Sequence, residues 1–255
     1  MTQKRLKQHD FEFQENLYEI SNPTRGWLHS RRREWVSQAI EKYSSQCQQV
    51  KYLEIGLGCG VYTKIISKKG IVTAIDINED FVERASRLEN VSARVADIQS
   101  TSFEPIYDVA LCSEVIEHLS DSEITIKHIY LSLKPGGYLI LTTPNKYSTV
   151  ELAARILTIP YLRRFIQKLY KEPVDDLGHI NRLTQRKLKE QICNAKFSIV
   201  HQENLAFYLP VIGEFGGSVG LSICKTFERI INVMPVFSWL LWTQCWVLQK
   251  THSNE

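Results

Sequence analysis

No two of the six cysteines (Cys47, Cys59, Cys112, Cys193, Cys224 and Cys245) form a C-x-x-C pair, and none has metal-site spacing. That excludes a cysteine-built zinc site and a disulfide scaffold, and predicts reduced, mostly buried thiols in a cytoplasmic protein. Charge of one sign is also missing: 31 Lys and Arg stand against 28 Asp and Glu, a net +3, which gives no ground for a nucleic-acid partner. Residues 1–16 lack the apolar stretch of a secretory leader. Residues 230–249 carry no formal charge, but Asn232, Pro235, Ser238, Thr243 and Gln244 interrupt them. A short helix followed by a buried strand accounts for that text better than a membrane span. Internal repeats and low-complexity tracts are absent. What remains is a chain of 255 residues, 44% hydrophobic and 23% charged, the size of one domain with a cap or insertion.

Apolar runs alternate with helical patterns. Strand-like runs occur at 50–55, 71–76, 91–95, 107–112 and 138–142, each bracketed by Gly, Pro, Asn or Asp. Amphipathic stretches at 61–68, 79–88 and 121–133 separate them, and Pro135 with Gly136 and Gly137 ends the last. This rhythm predicts βαβ units and a parallel sheet covered on both faces. After 145 it breaks. Nine Lys and Arg against three acids lie between Arg155 and Lys189; Thr184 reads as a helix cap; strand character resumes at 197–200. A charged helix over 222–231 and a final apolar strand at 240–249 close the chain.

The strongest local signal is Leu53-Glu54-Ile55-Gly56-Leu57-Gly58-Cys59-Gly60-Val61. A strand feeds a glycine turn, whose backbone can approach a ligand closely, and the turn feeds a helix N-terminus. A dinucleotide loop, G-x-G-x-x-G, would need glycine at 61, where Val61 stands. Glu54 would repel a pyrophosphate but suits an ammonium group, so the turn favours a cationic ligand such as S-adenosylmethionine. Asp76 ends the next strand, 20 residues after Gly56, where an acid meets ribose hydroxyls. Asp97 ends the third strand and suits an adenine amino group. Each acid alone is an ordinary loop carboxylate. Three at successive strand ends form a constellation.

With these residues the chain resembles the class I S-adenosylmethionine-dependent methyltransferases over about residues 48–145. The segments Tyr107-Asp108-Val109-Ala110-Leu111-Cys112-Ser113-Glu114-Val115-Ile116-Glu117-His118 and Leu133-Lys134-Pro135-Gly136-Gly137-Tyr138 look like that family's fourth and fifth strands. Glu114-Val115-Ile116-Glu117-His118 and Thr143-Pro144-Asn145 point to the small-molecule group related to ubiquinone-biosynthesis O-methyltransferases. The segment 178–184 echoes the same group, whereas Ala195-Lys196-Phe197 departs from its usual Ala-Gly-Phe. The resemblance implies an α/β, Rossmann-like doubly wound sheet of seven strands. It is mostly parallel, with an antiparallel last strand inserted between the fifth and sixth, plus helical cap and insertions. It also implies an N-terminal helical arm (1–46), a methyltransferase domain (47–250), and insertions at 145–180 and 205–238 that build an acceptor cap.

The same resemblance implies that Glu54, Gly56, Leu57, Gly58 and Gly60 hold the donor with Asp76, Ile77, Asp97 and Ile98, while Ser113 and Glu114 border its methionine end. S-adenosylhomocysteine would be the product. In-line methyl transfer mostly needs alignment, and a hydroxyl acceptor also needs a base. His118, with Glu117 beside it, and then His179 are the candidate catalytic groups, although an exposed loop is the plainer expectation for His179. If 114–118 were helical, Glu114, Glu117 and His118 would share one face and offer a partial shell for Mg²⁺ or Zn²⁺, a role the resemblance to the ubiquinone-pathway O-methyltransferases implies for them. A solvated acidic helix start is the plainer expectation, so no metal is assigned.

Tyr18, Trp27 or His29 could cap the donor, and Arg31-Arg32-Arg33 reads as a solvated face. Tyr147, Tyr161, Phe165, Tyr170, Phe207, Tyr208 and Phe215 suggest a lipophilic or aromatic acceptor under a lid hinged at Gly213, Gly216, Gly217 and Gly220. The expected activity is methyl transfer to a small molecule, at oxygen. Transfer to carbon or nitrogen, and a non-catalytic cofactor-binding partner of this fold, are the alternatives. The basic and apolar tracts leave peripheral membrane contact open, and the oligomeric state is not legible.

Overall fold

The computed structural model describes residues 22–44, 49–157 and 179–251. Cys47, Tyr18, Tyr161, Phe165, Tyr170 and much of the 145–180 and 155–189 tracts lie outside them. In chain order the elements are α1 (Pro23–Ser44), β1 (Val50–Ile55), α2 (Thr63–Ile66), β2 (Gly70–Asp76), α3 (Glu79–Ala85), β3 (Val91–Val95) and β4 (Tyr107–Ser113). A 3₁₀ turn (Ile116–His118), α4 (Ser122–Ser132), β5 (Leu133–Pro144) and α5 (Thr149–Leu157) follow. Then come α6 (Gln185–Asn194), β6 (Phe197–Leu205), α7 (Pro210–Phe215), α8 (Gly217–Val233), a second 3₁₀ turn (Pro235–Leu240) and β7 (Thr243–Lys250).

The seven strands form one sheet in the order β3-β2-β1-β4-β5-β7-β6. Pairings from β3 to β5 are parallel, and β7 runs antiparallel to both neighbours. The doubly wound fold with a buried, inserted last strand is therefore as expected. Successive strand residues face opposite layers: Tyr52, Val109, Ile140 and Val247 join one core with α1, while Leu53, Ala110, Leu141 and Trp246 join another with α4 and α6. Helix starts are fixed by side-chain caps. Asn78 accepts from the Asp80 N–H (2.9 Å), Asp121 from Ile124 (3.0 Å) and Thr184 from Lys187 (3.2 Å).

Three differences from the sequence expectation have clear physical causes. The helix expected over 61–68 is the single turn Thr63–Ile66. Gly70 must already be in the sheet, because a Cβ there would lie 2.0 Å from the Val50 carbonyl oxygen, which leaves room for no more. Secondly, the expected lid is two packed helices. A Cβ on Gly220 would meet the Ile212 carbonyl oxygen at 2.2 Å, and one on Gly213 the Tyr208 ring at 2.3 Å, so these glycines serve close approach rather than hinge motion. Phe207 and Tyr208 are correspondingly buried, Phe207 against Ile231 and Leu241. Thirdly, the final strand begins at Thr243, preceded by the 3₁₀ turn. No described helix is long and apolar enough to cross a membrane.

Lys196, where the resembling group has glycine, adopts φ +66° just past α6. A left-handed backbone is costly for a side chain with a Cβ. Lys196→Gly is expected to raise stability by about 1 kcal/mol in urea unfolding; a lower midpoint would show that the lysine side chain holds the turn.

Candidate active site

Sheet order reverses between β1 and β4, and the C-terminal ends of the parallel strands there share one edge. At that edge β1 runs into the glycine turn. Gly56, Gly58 and Gly60 all have positive φ (71°, 49° and 78°), and a Cβ on Gly56 would strike Val115 at 2.3 Å. The turn is drawn toward β2: the Gly56 N–H donates to the Ile75 carbonyl (2.9 Å) and the Gly58 N–H to Asp76 Oδ2 (3.0 Å). Asp76 Oδ1 accepts from the Asn78 N–H (2.9 Å), so the carboxylate is held in place while its remaining lone pairs can still accept from hydroxyls. Asp76 pairs in register with Val95, which sets Asp97 beyond the tip of the neighbouring strand, where it accepts from the Gln99 N–H (2.9 Å).

Of the apolar positions expected here, Ile77 is 74% exposed beside Asp76, whereas Leu57 and Ile98 are buried in the two cores. Ile98 therefore turns its side chain inward and presents its carbonyl to His128 Nδ1 (2.8 Å). Glu54 is buried behind the turn. Burial pushes its carboxyl up to about 8, Thr63 partly opposes this, and Asp76 adds to it. Its Oε2 has no hydrogen-bond partner among the described residues.

The acceptor-side residues depart most from expectation. Glu114 is not helical: its φ is +57°, and its N–H donates to the Thr142 carbonyl (2.9 Å). Only Ile116–His118 form a turn, so Glu114, Glu117 and His118 do not share a face. The Glu114 carboxylate instead meets Arg32 of α1 at 2.8 Å and accepts from the Thr142 hydroxyl (3.0 Å), which also bonds Ser113 Oγ (2.9 Å). Arg32 is thus buried and paired, not part of a solvated run, and its guanidinium lies 5.6 Å from the Trp242 ring centre. His29 meets the same indole edge-on at 5.5 Å; burial first, then Arg32 and Arg25, lower its pKa to about 3.

Beyond Glu114 lies a second polar group. Glu117 accepts from the Thr143 hydroxyl (2.9 Å), and burial, with Glu114 nearby, holds its carboxyl well above the usual range. His179 is not an exposed loop residue. Its side chain is 9% accessible, its Nδ1 lies 2.8 Å from Oε1 of the fully buried Glu151, and its ring meets His118 edge-on at 5.1 Å. Arg182 meets the other oxygen of Glu151 at 3.0 Å, which compensates that buried charge. An ionised carboxylate only accepts, so His179 Nδ1 donates to it, and Nε2 is the ring's remaining nitrogen.

Ligand atoms of Glu117, His118 and His179 lie within 4.8 Å of one another, and Glu117 Oε1 is buried without a hydrogen-bond partner among the described residues. One carboxylate and two imidazoles fit a divalent ion such as Zn²⁺ better than Mg²⁺. Of the three residues weighed for a metal in the sequence, Glu114 is not in this cluster, and His179 is.

Residues 27–202 match the family described as "Methyltransferase domain". The chain belongs to that family. A malonyl-[acyl-carrier protein] O-methyltransferase of Priestia megaterium is 32% identical over 111 residues, 41% of this chain and 40% of that one. A ubiquinone biosynthesis O-methyltransferase of Rickettsia canadensis is 27% identical over 143 residues, 54% of this chain and 60% of that one. The methyltransferase domain thus spans about half the length of these relatives. A crystal structure of an S-adenosylmethionine-dependent methyltransferase from Mesorhizobium loti superposes with a TM-score of 0.57, covering 85% of this chain and 97% of that one at 14% identity. The fold is that of the class I methyltransferases.

Within this methyltransferase domain, sequence reasoning missed Arg32, Thr142, Thr143, Glu151 and Arg182. Glu151 had a signal: it is the lone acid of the amphipathic helix α5. Arg32 lies a full turn past Leu28 on the buried side of α1, a second signal hidden by its arginine neighbours.

Proposed function

We propose that this methyltransferase domain transfers the methyl group of S-adenosylmethionine to a hydroxyl oxygen of a small, lipophilic or aromatic acceptor. The observation that carries the oxygen assignment is the His179–Glu151 pair beside His118. A carboxylate acceptor is already ionised and needs no base. A hydroxyl does, and His179 Nε2, oriented through Nδ1, is built to take its proton. The O-methyltransferase names of both relatives support transfer to oxygen. Glu54, the turn from Gly56 to Gly60, Asp76 and Asp97 hold the donor; Ile77 offers an apolar face to its base; Ser113 and Glu114 border its methionine end.

Donor binding is tested with Asp76→Ala. The loss of charge-assisted bonds to ribose should weaken S-adenosylhomocysteine binding by about 1.5–3 kcal/mol, measured by calorimetry. Unchanged affinity would remove Asp76 from the site, and tighter binding of NADH would overturn the donor assignment. Transfer to oxygen is tested with labelled S-adenosylmethionine and a panel of phenols, where product should appear as an aryl methyl ether.

A second reading is favoured by the unpartnered Glu117 Oε1. With His118 and His179 it would hold a divalent ion, which when bound would act as a Lewis acid toward the acceptor oxygen. The Glu151 bond to His179 Nδ1 would then orient a ligand instead of a base.

A further inference from the structure

We propose that α8 and the 3₁₀ turn after it form a face that docks on an anionic lipid bilayer, lying along its surface. The inward side of α8 is accounted for by Gly220, Cys224 and Ile231, which are buried. A second apolar stripe faces outward. Val219, Ile230 and Val233 recur at helical spacing on the opposite side, 66%, 49% and 82% exposed. The chain then continues into Val236, Phe237 and Trp239, also exposed, with Val236 at 78%. Single exposed apolar residues are ordinary, but a row of them on one helix face, crossed by Ser222 and Thr226 and running into a Phe and a Trp, marks a contact surface.

The charges choose the occupant. Between residues 207 and 250 the only carboxylates are Glu214 and Glu228. Glu214 is tied to Arg25 (2.7 Å) and Tyr208 (3.0 Å); Glu228 is buried, 3.5 Å from Arg31. Lys225 and Arg229 are exposed on the flank of the stripe. The face therefore offers apolar and aromatic side chains with cations alone, the composition of a helix in the plane of an anionic membrane. A self-complementary contact would bring those cations together with no exposed acid on this segment to meet them. Position supports the assignment. β6 runs parallel to β1–β5, so the segment between β6 and β7 lies at the same sheet edge as the glycine turn and His179. A lipophilic acceptor held in the bilayer would meet the site from that side.

The test is co-sedimentation of the full chain with vesicles of phosphatidylglycerol and phosphatidylcholine, beside vesicles of phosphatidylcholine alone. The chain should pellet with the anionic vesicles and much less with the neutral ones. Lys225→Gln with Arg229→Gln should weaken anionic binding about tenfold to thirtyfold. Val233→Asp with Val236→Asp should abolish it, with S-adenosylhomocysteine affinity and the melting temperature unchanged. Absence of binding to either vesicle, or binding indifferent to the Asp pair, would overturn the proposal. So would a dimer in sedimentation velocity that the Asp pair dissociates while vesicles capture nothing, since a second copy would then cover the face.

Discussion

Replacing His179 with Ala should lower turnover on a phenol by about 10²–10⁴-fold while leaving donor affinity unchanged. The expectation follows from the bond at Nδ1. With Nδ1 engaged by Glu151, Nε2 is the ring nitrogen left to take the acceptor's proton. Glu151→Gln should be nearly as damaging although it preserves shape. Arg182 stands on the other oxygen and would take the amide oxygen, which turns the amide NH₂ toward Nδ1. The ring proton is then driven to Nε2, and the base is lost through the wrong tautomer.

A series of phenols of rising acidity separates base from scaffold. An acceptor ionised in solution needs no proton removed, so the parent-to-variant ratio should shrink toward one along the series. A constant ratio would show that His179 holds the acceptor without deprotonating it. Chelation distinguishes the second reading: activity lost in excess chelator and restored by Zn²⁺ would make His179 a ligand, with Glu117 and His118 completing the set. Full activity in chelator would leave the base.

The cluster of strand-end residues proposed to hold the donor was legible because its placement is local. Each acid or glycine stands within a few residues of the end of a strand whose apolar run is plain in the text, and parallel order brings those ends to one edge. The acceptor side depends on pairings that no local pattern announces. Arg32 reaches Glu114 from α1, and Glu151 meets His179 across residues outside the described ones. The helical reading of 114–118 failed at one backbone angle, since Glu114 in the left-handed region turns its carboxylate toward Arg32 and away from His118. Strain of about 1–3 kcal/mol is held there by the Thr142 and Arg32 bonds. Gly213 and Gly220 misled for a different reason. Glycine permits motion and it permits close approach, and only the 2.2–2.3 Å clearances show which applies.

Glu54 should release a proton when the donor binds. Its carboxyl is buried, and its pKa of about 8 against an ordinary 4.5 means that the folded, ligand-free chain keeps a proton that the unfolded chain gives up. Stability of the ligand-free chain should therefore fall as pH rises from about 4.5 to about 8, because the folded state binds the extra proton throughout that window. Glu54→Gln removes this slope. It should be more stable than the parent by up to about 5 kcal/mol above pH 8 and indistinguishable from it below pH 4. Donor binding reverses the balance. An ammonium or sulfonium at the glycine turn favours the ionised carboxylate, so the proton leaves as the ligand enters. Calorimetry of S-adenosylhomocysteine binding at pH 6.5 in phosphate and in Tris should show different heats for the parent, the difference measuring the proton released. For Glu54→Gln the two heats should agree, and affinity at pH 9 should fall by about 1.5–3 kcal/mol, since the amide brings no charge to meet the cation. Equal heats in the two buffers for the parent would mean that Glu54 stays neutral behind the turn. It would then serve the backbone of Thr63 and the packing of β1, and would not select a cationic ligand.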